Sequence, residues 1–184
     1  MTPARRTTPE LDALVGLFYP DVAMLGQFDE VPATELPPGA RALLDHDQHM
    51  TLTVEAHYGS PVDVQVLASN VTATHYARKI VLNCHSDGKV VQFGIVRLHL
   101  DSLSVGVREE IDRTEAPLGR ILIQHNILRT VRLLSLWQIV PAAELCGLFS
   151  LQQPDTCHGR TALIYCDAVP AVELLEIVRP CPLQ

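Results

Sequence analysis

The chain has 184 residues, of which 47% are hydrophobic, 19% charged and 5% aromatic. That suits one globular domain, residues 1–184, with a mostly aliphatic core. The formal net charge of -7 argues against nucleic acid as a partner, so an acidic ligand would need a local cationic pocket.

Residues 1–9 are polar and read as a loose stretch. The start has two arginines but no apolar run with a small-residue cleavage site, so no signal peptide is expected. No run approaches the roughly 20 apolar residues of a membrane helix, and a soluble, cytoplasmic protein is expected. "PELDALVGLFYP" has helical spacing and ends before Pro20. "DEVPATELPPGA" reads as a Pro-rich connector. Leu43 and Leu44 fit a helix; Asp47 could cap a second one and Gly59 could end it.

The clearest strands follow. Val62, Val64 and Val66 alternate, "THYARKIVLNC" is a second strand, and "VVQFGIVRLHL" returns after the hairpin signal Asp87-Gly88. Residues from about 62 to 100 therefore read as an antiparallel meander. The stretch from Asp101 to Val140 reads as mainly helical, with a turn at Pro117 to Gly119 in its middle. "PAAELCGLF" is a short helical piece and "QQPDTCHGR" a polar loop. "RTALIYCDAVPAVELLEIVRP" closes the chain as a hairpin split near Asp167 to Pro170. Strands, then helices, then a last strand pair predict an α+β fold, with an antiparallel sheet and helices on one side.

Period-2 counting places Arg78 on one face with Ile80, Leu82 and Cys84, and Glu176 with Val172, Leu174 and Val178. An unpaired guanidinium on an apolar face is costly. Two readings stay open. Each charge belongs to a buried ion pair or a solvated edge; or the two form a site. In the second, Arg78 grips a ligand carboxylate in a bidentate fork, and Glu176 hydrogen-bonds an oxygen on the ligand's far side. Arg97, in line with Phe93, Ile95 and His99, is a second anion-binding candidate, with an exposed edge position as the plainer account. Cys84 reads most simply as a core thiol.

Five cysteines, an odd number without CxxC spacing, read as reduced thiols. The eight histidines form no HExxH pattern, and "DHDQH" at Asp45 to His49 lacks distant partners, so no metal site is expected. There is no phosphate-binding Gly-rich loop and no GxSxG elbow.

Four stretches resemble, in order, the bacterial chorismate lyase family: "LLDHDQHMT", "HYARKIVLNCHSDGKVV", "APLGRIL" and "ELLEIVRPCPL". The Pro-Leu-Gly-Arg turn is the most specific of them. The resemblance implies an antiparallel sheet of about six strands with helices packed on it, enclosing a ligand. It implies that pyruvate is eliminated from chorismate to give 4-hydroxybenzoate, without metal or redox cofactor. Carried over, Arg78 binds the ring carboxylate, Leu118 walls the pocket, Met50 adds a contact, and Glu176 sits near the ring's oxygen substituent. Arg78 and Glu176 are then the catalytic candidates. The sequence departs from the family at "LRTVR", which leaves Arg129 and Arg132 unassigned, and at "GIVR", which moves an arginine to Arg97. Two alternatives stand beside the lyase. One is a related enolpyruvyl acid as substrate. The other is a non-catalytic module that binds a small aromatic acid, as effector domains of some transcription regulators of this architecture do. In every version the partner is a small aromatic or cyclohexadiene carboxylic acid. Nothing in the sequence sets an oligomeric state.

Overall fold

A computed structural model describes residues 11–113, 116, 118–125, 129–166 and 168–180, the side chains at 118, 119, 123 and 129 excepted. The loose stretch expected over residues 1–9, and Cys181, lie outside the described residues.

Among the described residues seven strands form one sheet: β1 (Gly26–Glu30), β2 (Val62–Val71), β3 (His75–Cys84), β4 (Val90–His99), β5 (Arg129–Pro141), β6 (Cys157–Cys166) and β7 (Val169–Val178). Their order is β1-β5-β6-β7-β4-β3-β2, and every pairing is antiparallel. The helices are α1 (Leu11–Val15), α2 (Pro38–Leu44), α3 (Met50–Tyr58), α4 (Val105–Arg113), α5 (Leu118–Gln124) and α6 (Ala143–Leu148). The expected α+β class with an antiparallel sheet holds. No helix among the described residues is long and apolar enough to cross a membrane.

The meander forms where alternation predicts it. Gly88 takes the left-handed φ of +70° that the turn between β3 and β4 needs, and its N–H donates to Cys84 O at 2.8 Å. Gly59 likewise ends α3 at φ +62°. The start of α3 differs from expectation. His49, not Asp47, occupies the N-cap, and no side chain caps the first turn.

Three further departures have physical causes. Residues 129–141, expected to be helical, form β5. Its register with β6 shifts between Leu133 and Ser135, and this bulge breaks the alternation. The remaining apolar run has no period that separates a buried strand from a helix. β1, "GQFDE", is a short, mostly exposed edge strand without apolar alternation, and it raises the count from about six strands to seven. The helices cover both faces rather than one. Leu14 and Val15 of α1 and Leu145 of α6 pack with Val81, Phe93, Ile95, Leu175 and Ile177 on one face. On the other, α2 and α3 pack over Ile80 and Leu82, while α4 and α5 pack over Val96, Ala162 and Leu174. Double coverage explains why β3, β4, β6 and β7 are buried on both sides.

Candidate functional site

The face under α2 to α5 carries three cross-strand rows, fixed by the registers. In the middle row Ile80 of β3 stands opposite Gly94 of β4, Gly94 opposite Glu176 of β7, and Glu176 opposite Arg160 of β6. One row along, Arg78, Val96, Leu174 and Ala162 line up in the same way. On the other side Leu82 meets Gln92, and Gln92 meets Val178. Above these rows lies a small, partly open cavity of about 40 Å³. Its floor is largely aliphatic, with Ile80, Leu82, Val96, Ile164 and Leu174. Its polar groups come from Gln92, Arg160 and Glu176 below, and from His49, Met50 and Thr51 at the start of α3.

Glu176 and Arg160 are buried and joined, with Arg160 Nε donating to Glu176 Oε2 at 2.7 Å. The same guanidinium reaches up to the loop between α2 and α3. Nη1 donates to His46 O at 3.0 Å and Leu44 O at 3.4 Å, and Nη2 donates to Gln48 O at 3.2 Å. His46 completes the cage. Its Nε2 lies 2.7 Å from Leu43 O, which can only accept, so Nε2 carries the proton. Nδ1 then accepts from Gln48 N–H at 3.1 Å and lies 3.4 Å from Arg160 Nη1. Burial, and then the nearby Arg160 charge, push the His46 pKa below its ordinary value, which fits this neutral ring. Arg160 thus ties the entry to α3 onto the sheet and fixes His49, Met50 and Thr51 at the cavity rim.

Arg78 has 0% exposure, and among the described residues its Nε, Nη1 and Nη2 make no hydrogen bond. Its neighbours across the strands are Ser69 on β2 and Val96 on β4. Burial lowers its pKa, partly offset by Tyr76. Buried polar groups in folded proteins are almost always partnered, and an unpaired buried charge is among the most costly groups a core can hold. The sequence placed Arg78 on an apolar face correctly. The suggested meeting of Arg78 with Glu176 does not occur, because Glu176 stands one row away and belongs to Arg160.

Met50, the first residue of α3, is buried and lines the cavity. Leu118 opens α5, but its side chain lies outside the described residues, as do Pro117 and the Arg129 side chain. Arg120, in the first turn of α5, is ion-paired with Glu55 of α3. Glu55 Oε1 also accepts from Val62 N–H at 3.0 Å. The two helices over the cavity are thereby clasped to each other and to β2. Arg97 is not a free anion site: both its Nε and its Nη2 donate to Glu173, the second at 2.8 Å, on the opposite face of the sheet. Arg132 is exposed on β5. Cys84 is a buried core thiol in contact with Ser86 Oγ at 3.2 Å. Among the described residues no three His, Cys, Asp or Glu side chains converge on a metal position.

Two site residues escape a reading of the sequence. Arg160 stands where the loop-like "QQPDTCHGR" meets the expected strand "RTALIYC". Yet β6 begins at Cys157, and alternation carried back from Ile164 through Ala162 reaches Arg160 and His158. Gln92 is hidden in "VVQFG", where only the period-2 rule sets it on the face of Gly94 and Val96.

The chain matches no protein-family model and no curated protein. Its fold does occur among solved structures. The effector domain of PhnF from Mycobacterium smegmatis aligns at a TM-score of 0.53 and 18% identity, covering 72% of this chain and 88% of that one. PhnF from the same organism aligns at 0.52 and 18%, covering 71% of this chain and 63% of the other, so this chain spans about two-thirds of that protein. A transcriptional regulator of the GntR family from Bacillus cereus aligns more loosely, at 0.46 and 10%, covering 67% and 94%.

The fold is that of the PhnF effector domain. This corrects the chorismate lyase resemblance: the solved structures aligned here at a TM-score above 0.5 are an effector domain and the protein that contains it. The pyruvate-eliminating activity, chorismate as substrate and 4-hydroxybenzoate as product fall with it. Glu176, the expected catalytic carboxyl, accepts from Arg160 through Oε2, and Arg160 also donates to the backbone carbonyls of His46 and Gln48.

Proposed function

We propose that this domain is a non-catalytic binding module for a small organic acid with an apolar body. The observation that carries the reading is Arg78, whose guanidinium is wholly buried and, among the described residues, unpartnered, on the sheet face under the cavity and in the row of Val96 and Leu174, which line it. A ligand carboxylate would supply the bidentate partner that the protein does not. The aliphatic floor suits the ligand's body. The uncapped first turn of α3, with Met50 and Thr51 at the rim, adds backbone N–H donors and the positive end of a helix dipole. The shared fold of the PhnF effector domain supports a ligand-responsive role. The formal charge of -7 favours a small ligand over nucleic acid as this domain's own partner.

The test is thermal unfolding and calorimetric titration with benzoate, cyclohexanecarboxylate and their uncharged amides. The acids are expected to raise the melting temperature and to bind the wild type. The amides, and all compounds with Arg78→Leu, are expected not to bind. Equal binding of acids and amides, or binding unchanged by Arg78→Leu, overturns the reading.

A further inference from the structure

A second, larger cavity opens at the end of the sheet where β3 and β7 finish and β4 and β6 begin. It measures about 750 Å³ and shares no lining residue with the cavity beside Arg160. That volume falls within the range of small-molecule sites. Its walls come from α2, the last residue of α3, the turn between β3 and β4, the segment before β6 and the residues after β7. One lining group is out of place for a mere surface dent. His158 on β6 is 7% exposed, and among the described residues its ring has no hydrogen-bond partner. Its ring nitrogens are not sealed in the core as those of Arg78 are. Burial alone acts on its pKa and lowers it, so the ring is neutral and carries one donor and one acceptor. A buried imidazole with both functions unused is a group that a ligand completes.

We propose that this cavity binds an uncharged, hydroxyl-rich molecule of mono- or disaccharide size, with His158 as its buried anchor. The charges at the site argue for an uncharged ligand. Lys89 and Arg179 in the lining are offset by Asp87 and Asp155, and Lys89 Nζ is paired with Asp87 Oδ2 at 3.1 Å. A cation would face Lys89 and Arg179, and an anion would face Asp155 in a chain of net charge -7. The groups left without a partner argue for hydroxyls. Besides His158, these are the Thr156 hydroxyl and the Asp155 carboxylate, two and three residues before it. A hydroxyl donates and accepts, so one kind of ligand group satisfies the neutral imidazole, the threonine and the carboxylate. Among the described residues the lining holds one aromatic ring besides that imidazole, Tyr58, and it already packs edge-on against His57 at 4.9 Å. Hydrogen bonds rather than stacking therefore define the ligand. The site is independent of Arg78 and of the acid-binding reading.

The experiment follows the imidazole resonances of His158 by NMR at neutral pH. The probes are glucose, N-acetylglucosamine, maltose and myo-inositol, with glucosamine as a cationic and glucuronate as an anionic counterpart. At least one uncharged probe is expected to shift the His158 ring saturably, and to bind about tenfold tighter than the charged counterparts. His158→Phe keeps a ring in the wall but removes both hydrogen-bonding functions, and is expected to weaken that probe about tenfold. Thr156→Val changes an exposed side chain, so it is expected to fold as wild type does and to weaken the same probe, which keeps the test open if His158→Phe fails to fold. Three results overturn the proposal: no uncharged probe shifts His158, a charged counterpart binds as tightly, or affinity survives both substitutions.

Discussion

Arg160 on β6 and Glu176 on β7 face each other across one register position, with Nε 2.7 Å from Oε2 and side-chain exposures of 1% and 9%. Such a pair is worth little against a well-packed apolar replacement, but breaking it leaves a lone charge in the core. Arg160→Leu is expected to cost about 3–5 kcal/mol by urea unfolding, and also to release the loop at residues 44–48. Arg160→Leu combined with Glu176→Leu is expected to cost less than the sum of the single changes. Additive losses would show that the two side chains do not act as a pair.

Arg78 predicts the opposite sign. Its guanidinium is buried without a partner, so Arg78→Leu is expected to raise the stability of the ligand-free domain by about 1–3 kcal/mol while abolishing acid binding. The urea midpoint and the calorimetric titration read the two effects separately. A destabilised Arg78→Leu variant would mean that the arginine supports the fold rather than a ligand.

Two strand glycines separate packing from binding. A Cβ at Gly159 would lie 2.8 Å from the backbone oxygen of Glu176, which cannot yield without moving β7. Gly159→Ala is expected to lose about 1–3 kcal/mol. At Gly94 the nearest atom is Ile80 Cγ1 at 3.3 Å, on a side chain that can adjust. Gly94→Ala is expected to unfold within about 1 kcal/mol of wild type but to bind acids more weakly, because its methyl group enters the cavity floor. If Gly94→Ala binds acids as well as wild type does, the ligand does not lie over the middle row.

Stability is expected to fall in mild acid. Burial lowers the pKa of His158, and burial followed by the Arg160 charge lowers that of His46, both from an ordinary 6.5. The unfolded chain therefore takes up protons near pH 6.5 that the folded chain refuses, so stability drops as the pH falls below that value. Melting temperatures from pH 7.5 to 5 are expected to decline, and to decline less in His158→Gln. An unchanged slope in that variant would remove His158 from the account.

Local chemistry was enough for part of this protein. Alternation in Val62 to Val66 and Tyr76 to Cys84, with Asp87-Gly88 between two apolar runs, determines the meander, because side-chain direction and turn type depend on near neighbours. The same counting places Arg78 on an apolar face, and Arg78 is wholly buried there. Tertiary structure decided what those residues meet. Glu176 is partnered by Arg160 rather than Arg78 because β7 lies between β4 and β6, a neighbour order that no local pattern encodes. Residues 129–141 became a strand because β1 and β6 offer edges on both sides, and the bulge near Leu134 hides the period. Arg160 stood at the boundary of an expected loop and strand until pairing with β7 extended β6 back to Cys157. Arg78 and Gln92 came onto one covered sheet face only through the register of β3 with β4 and the helices closed over them. A strand records which way a side chain points; the sheet and its covering helices decide whether anything stands there to receive it.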